Sequence, residues 1–292
     1  MSPVRRAYLE LHLAVLLFGF TAILGKLITL TALVLVWWRV LFTALSLLPL
    51  VRVRAAWRQL APARRWRLFG IGTVIAVHWV TFYGAIKLAN ASVALVCMAT
   101  TSLFAAFLEP WLLRRPLHRL EVGLSLLIIP GMALVVGTLP AGMGWGVVVG
   151  LVSALLAALF SILNKQIISD SDPRVITLVE MSAAWVFLSL VLPIYLWYAP
   201  ATAVLPTGSD IVYLAVLVLA CTTLAFLLNL RALRHLSAFA ATLTINLEPV
   251  YGILLAAVLL REYEELTPLF YLGLLVVLGA VLGYPVLARR GR

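Results

Sequence analysis

Five ionisable side chains, Arg39, His78, Glu109, Glu180 and Glu248, lie inside long apolar stretches, and the amides of Asn164, Asn229 and Asn246 keep similar company. In a lipid core an ionised group costs roughly 2.5–3.5 kcal/mol on insertion scales, so each needs a partner or a water-filled cavity. Three kinds of chemistry suit such groups: holding a polar solute, relaying a proton, or tying helices together. The run His78-Trp79-Val80-Thr81-Phe82-Tyr83 puts His78 and Phe82 on one helical face and Trp79 and Tyr83 on the next. That is a polar, aromatic wall for a small amphipathic solute; the alternative is an imidazole bonded to a neighbouring helix amid ordinary aromatic packing. Met98, Thr101 or Ser102, Ala105 and Glu109 form a small, polar stripe that faces other helices or water rather than lipid. Glu109 could hold an ammonium group or a proton, or pair with Arg114 or Arg115. Thr242, Asn246 and Pro249 share a face of a later segment, with Glu248 beside them. Arg39 and Glu180 read first as structural, each paired with an opposite charge or a carbonyl, with ion coupling as the other reading. Phe18 and Thr21 are added as cavity residues of the first segment, and Asn164 as one of the sixth.

Covalent chemistry has no matching pattern. The sequence contains no Gly-x-Ser-x-Gly elbow, no His-Glu-x-x-His helix and no phosphate-binding loop, and Asp170 and Asp172 fall in a connection. Cys97 and Cys221 are far apart within apolar stretches and read as small buried hydrophobes, not a redox or metal pair. No cofactor and no metal are expected, and an intramembrane enzyme is the weaker rival to a carrier.

The elements that must position these groups follow from composition. Of 292 residues 64% are hydrophobic and 11% charged, with a mean hydropathy of +1.11. A soluble domain carries about 25% charged residues, so the solvent here is lipid. Apolar runs cover about 9–28, 31–50, 68–86, 91–113, 120–137, 145–164, 174–197, 210–230, 237–260 and 267–287. Each is near the ~20 residues a spanning helix needs, which predicts an all-α membrane protein of ten spans. The first run is read as a retained span, since no small-residue cleavage site follows it. The stretch 51–67 is the longest connection and is read as a short surface helix. With the N-terminus inside, Lys26, Lys87 and Arg261 face outward, Arg39 is intramembrane, and every other lysine and arginine falls on the cytoplasmic side. This asymmetry places both termini in the cytoplasm and gives the net charge of +11 a use that needs no nucleic acid.

The chain also repeats itself. Ala85-Ile86-Lys87-Leu88-Ala89-Asn90-Ala91-Ser92-Val93-Ala94 has the rhythm of Ala232-Leu233-Arg234-His235-Leu236-Ser237-Ala238-Phe239-Ala240-Ala241, and Leu24-Gly25-Lys26 that of Leu163-Asn164-Lys165. Two five-helix halves, 1–140 and 141–292, are expected. Five being odd, the second half enters the bilayer from the opposite side, and the loops agree. The arginine-rich 51–67 corresponds to 198–209, which has no basic residue, and Arg114, Arg115 and Arg119 correspond to Arg261 with Glu262, Glu264 and Glu265. Inverted repeats allow one bundle to open to either side.

Several stretches carry a family resemblance: Leu17 to Lys26, Trp37-Trp38-Arg39, His78 to Lys87, and Glu248-Pro249-Val250-Tyr251 with Arg261-Glu262. Through them nearly the whole chain resembles the drug/metabolite transporter superfamily with two EamA-type domains. The resemblance implies ten helices, a central cavity built by both halves, and export of amino acids or related small metabolites by alternating access from the cell's inner membrane. Uptake, or another amphipathic solute such as a drug, is the alternative. One departure from internal symmetry stands out: Ser102 occupies the place of Pro249, so the two fourth helices are expected to bend differently.

Overall fold

The computed structural model describes residues 2–53, 57, 60–114, 116–117, 119–140, 142–167, 172–233, 235, 244–245 and 247–290. Asn246 and Thr242 lie outside this set, as does the rest of the stretch 236–243 at the start of the ninth run. The described elements are helical, with no strand among them. They are α1 (Pro3–Leu27), α2 (Ala32–Leu47), α3 (Pro62–Leu88), α4 (Ala91–Ala99), α5 (Thr101–Leu113), α6 (Arg119–Leu126), α7 (Ile128–Gly137), α8 (Gly144–Lys165) and α9 (Pro173–Tyr198). There follow α10 (Ser209–Val218), a π-turn (Leu219–Leu224), α11 (Ala225–Leu233), α12 (Glu248–Leu260) and α13 (Pro268–Arg290). Seven described helical segments are long and apolar enough to cross a membrane, and three shorter apolar ones accompany them.

Local rules account for the helix starts. Ser2 caps α1 and Pro3 opens it, so the helix begins upstream of the apolar run and carries Arg5 and Arg6 in its first turn. Pro62 opens α3, Asp172 caps α9 ahead of Pro173, and Asn90 accepts the Val93 N–H to start α4. Outward faces are apolar: Leu190, Val258 and Leu275 are more than 60% exposed. Large exposed aromatics mark both ends, Trp66 and Trp111 at one and Trp145, Trp197 and Tyr198 at the other, as in the interfacial belts of membrane proteins.

Packing relates the halves as a two-fold axis would. The second helix of each half meets its counterpart (α2 on α9), as do the fourth (α4 on α12) and the fifth (α6 and α7 on α13). The first helices behave reciprocally: α1 packs on α11 and α12, while α8 packs on α3, α4 and α5. Close crossings depend on glycine. A Cβ on Gly19 would lie 2.8 Å from the Gly252 nitrogen, and one on Gly131 would lie 2.7 Å from Val277. Small-residue contact was expected of Gly123, Gly131, Gly273, Gly279 and Gly283. Gly131 and Gly273 do meet, whereas Gly123 and Gly279 face open space.

The expected difference between the fourth helices does not occur at the break itself. The helix in the first half is interrupted between α4 and α5 at Thr100 (φ −74°, ψ −5°), and α12 starts from Leu247 in the same geometry (φ −82°, ψ −5°). The offset that relates Ala85 to Ala232 also relates these two residues. Thr100 N–H bonds the Cys97 carbonyl and Leu247 N–H the Thr244 carbonyl, each at 3.0 Å. Proline is therefore not what makes the turn; in the first half the Thr100 hydroxyl donates to the Cys97 carbonyl and supports it. The same offset relates Arg114 and Arg261, the only non-glycine residues with positive φ among those described, which close α5 and α12 at φ 52° and 54°.

Candidate functional site

Hydrogen bonds identify the two ends of the bundle. At one, Thr29 gives its backbone N–H and its hydroxyl to the two carboxylate oxygens of Asp210, at 2.8 and 2.6 Å. There too the Glu262 carboxylate accepts the N–H groups of Ala91 and Ser92, both at 2.8 Å, capping α4 from the other half. Asp210 and Glu262 are 1% and 2% exposed. Trp38 donates to the Val204 carbonyl and Lys87 to that of Ile28, so this end is tied by two buried carboxylates and by more exposed donors around them. The arginine-rich end is held differently. Lys165 pairs with Glu109 at 2.6 Å with both side chains partly exposed, and Arg64 donates to the Ile167 carbonyl.

Between the helices is a cavity of about 610 Å³, within the ~300–1,000 Å³ usual for small-molecule sites. α1 supplies Phe18 and Thr21, α2 Arg39, and α3 His78, Trp79 and Phe82. Met98, Thr101 and Glu109 come from α4 and α5, Ser125 from α6, Phe160, Ser161 and Asn164 from α8, and Glu180 from α9. Phe226, Ile245, Glu248 and Pro249 complete it. Glu109 of α5, Asn164 of α8 and Thr177 of α9 lie close to the Lys165 and Arg174 ends of their helices, so the cavity runs from mid-bundle towards that end.

Most residues singled out from sequence thus face one space, but their bonding differs from what was expected. Tyr83 does not face it. The ring is fully buried where a Gly25 Cβ would lie (2.4 Å), and its hydroxyl accepts from Arg39 Nη1 at 2.6 Å. Arg39 has neither a carboxylate nor a carbonyl as partner. Its Nε and Nη2 donate to the Thr222 hydroxyl at 3.2 and 3.1 Å, and its guanidinium lies 3.8 Å from the centre of the Trp79 ring. Hydroxyls and a π-face take the cation's hydrogen bonds and its flat side, and the Glu248 carboxyl on the same cavity is near enough to feel its charge. His78 bonds a neighbouring helix: Nδ1 donates to the Ser153 carbonyl at 2.9 Å, tying α3 to α8, and the ring packs 5.3 Å from Phe160 on the cavity wall. Glu109 pairs with Lys165 rather than Arg114; Arg115 lies outside the described residues.

The EamA-like transporter family matches residues 5–137 and again 144–284. The chain belongs to that family. This EamA-like protein is thus a multi-pass membrane protein built of two repeats, of a family whose members are transporters. Its fold is similar to a solved crystal structure at 17% identity, with a TM-score of 0.66 over 97% of this chain and 98% of that one. None of the curated proteins matches it.

Sequence reasoning missed three groups in this EamA-like chain. Thr222 holds Arg39 because the helix widens to a π-turn there, freeing its hydroxyl to reach the Leu217 carbonyl at 2.7 Å; π-turns gather at functional places. Glu262 reads as one of a loop's charges and Asp210 is not singled out by the sequence, yet both are buried. Their signal was an acidic residue beside a span end with no basic neighbour at i+4 to answer it.

Proposed function

We propose that this EamA-like protein is a secondary transporter that exports amino acids or related small metabolites by alternating access, with no enzymatic role. The observation that carries this reading is a solute-sized cavity walled by both repeats, with buried hydrogen bonds closing the bundle beyond one end of it and an exposed ion pair at the other. In this reading residues 1–140 and 141–292 are inverted five-helix units forming ten spans. Both termini and the arginine-rich end face the cytoplasm across the cell's inner membrane. The conformation is then the one that loads from inside. Rocking of the halves would break the bonds of Asp210 and Glu262 and form a counterpart closure around the Lys165–Glu109 end.

The substrate cavity in this proposal comprises Phe18, Thr21, His78, Trp79, Phe82, Met98, Thr101, Asn164 and Glu248, with Asn246 joining from outside the described residues. Arg39 serves to tie helices, and Glu109 and Glu180 are the charges available for coupling to protons. The aromatic walls favour solutes with an apolar part, which also keeps other amphipathic metabolites within reach. Flux into proteoliposomes across a panel of amino acids tests the proposal. Saturable flux that disappears in Ala106→Trp, which fills the cavity, is expected; flux identical in that variant, or none for any metabolite tried, overturns it.

A further inference from the structure

Glu180 is 3% exposed, yet among the described residues its Oε1 has no hydrogen-bond partner, and neither has Oδ1 of Asn164. Both residues line the cavity. They are also neighbours, the Asn164 amide lying close enough to act on the Glu180 carboxyl, so the two orphan atoms belong to one cluster. The Glu180 backbone is pressed against α3, where a Cβ on Gly72 would come within 2.4 Å of its carbonyl oxygen. The carboxyl is thus held in place by packing.

Orphaned buried acceptors are costly, about 1–3 kcal/mol each and more when charged. The ion pairs of the described residues, Arg6–Glu10, Lys165–Glu109 and Arg174–Asp172, leave Glu180 out. Arg39 does not serve it: three of its five N–H donors go to Thr222 and Tyr83, and no hydrogen bond joins it to Glu180 among the described residues. A carboxylate and an amide oxygen only accept. What is missing is a donor, preferably a cationic one with several N–H groups.

We propose that Glu180 and Asn164 form a binding site for the protonated amine of the transported solute, whose apolar part rests against Phe160 and the aromatic wall beside it. The inference rests on the cavity being the solute's route. A primary ammonium offers three donors from a single point. It can reach the carboxylate and the amide oxygen together, and charge-assisted bonds of this kind are roughly twice as strong as neutral ones. A neutral donor would make weaker bonds there, and an anionic solute would be repelled by the carboxylate.

The test is a thermal-shift titration of the purified full chain in detergent with three probes of similar size: phenethylamine, N-acetylphenethylamine and 3-phenylpropionate. Sodium chloride against choline chloride forms a fourth arm. Phenethylamine alone should raise Tm, and Glu180→Gln should weaken its binding at least tenfold. Asn164→Asp, which keeps the acceptors, should retain binding, and Asn164→Leu should lose it several-fold. Equal response to the amide or the acid, undiminished binding in Glu180→Gln, or stabilisation by sodium alone would overturn the assignment. Should Glu180→Gln fail to fold, the preference of the unaltered protein for the amine over its acetylated form decides. Saturable flux of an amine-free solute, blocked in Ala106→Trp, with no amine binding would overturn this site while leaving the transporter reading intact.

Discussion

Arg39 shows how a charge survives between apolar helices without an ion-pair contact. Three of its nitrogens find hydroxyls on α3 and the π-turn, and the Trp79 face takes its flat side. Arg39→Ala would strand the Tyr83 and Thr222 hydroxyls and remove the stacking, a loss on the order of 2–3 kcal/mol. The expected outcome is a lower midpoint of heat-induced aggregation and a smaller folded yield, read by size-exclusion after heating; an unchanged midpoint would count against the tie. Arg39→Lys should not restore it, since a point charge cannot fork between two hydroxyls and stack as well. The types of these residues were legible in the sequence, and their partners were not. Nothing near Thr222 in the chain announces a π-turn, and the contact crosses from the first half to the second.

Helix ends carry the closure. The Glu262 carboxylate lies against the N-terminus of α4, where free N–H groups and the helix dipole favour an anion. Glu262→Gln replaces one acceptor oxygen with an NH₂ that cannot accept, so one of the two backbone bonds is lost. The closed end should then open more often. With Cys97 and Cys221 replaced, Thr21→Cys should react several-fold faster with a membrane-impermeant maleimide added from that end in the Glu262→Gln background. An equal rate would show that the latch contributes nothing to closure. Asp210→Asn should act in the same direction through Thr29. At this scale helix existence followed from apolar runs and caps. The break at Thr100 and the widening at Leu219–Leu224 did not, because threonines such as Thr100 and Thr222 sit as readily inside a spanning helix as at its interruption.

Across the whole molecule, glycines decide how closely helices can cross. A Cβ on Gly72 would come within 2.4 Å of the Glu180 carbonyl, whereas Gly70, two residues earlier, has open space around it. Gly72→Ala should therefore lower Tm by several degrees, in keeping with an overpacking cost of about 1–3 kcal/mol, while Gly70→Ala leaves Tm unchanged or slightly raised. Equal effects would mean that α3 and α9 do not meet as described. Orientation belongs to this scale too. Single cysteines at Trp57 and Trp66 are expected to react only with reagent on the cytoplasmic side, and one at Leu205 only from outside; the reverse pattern would invert the proposed direction of export.

By itself the sequence determined the solvent, the helical class, the family and the repeat. Each rests on composition or on patterns carried along the chain, which no folding is needed to read. Only the tertiary structure decided which polar groups answer one another. The partners of Arg39, Glu109 and Glu262 lie far away in sequence, on elements brought alongside by the pairing of the two halves. The orphan oxygens of Glu180 and Asn164 emerge by the same logic, since an unanswered group is visible only once every possible neighbour has been placed.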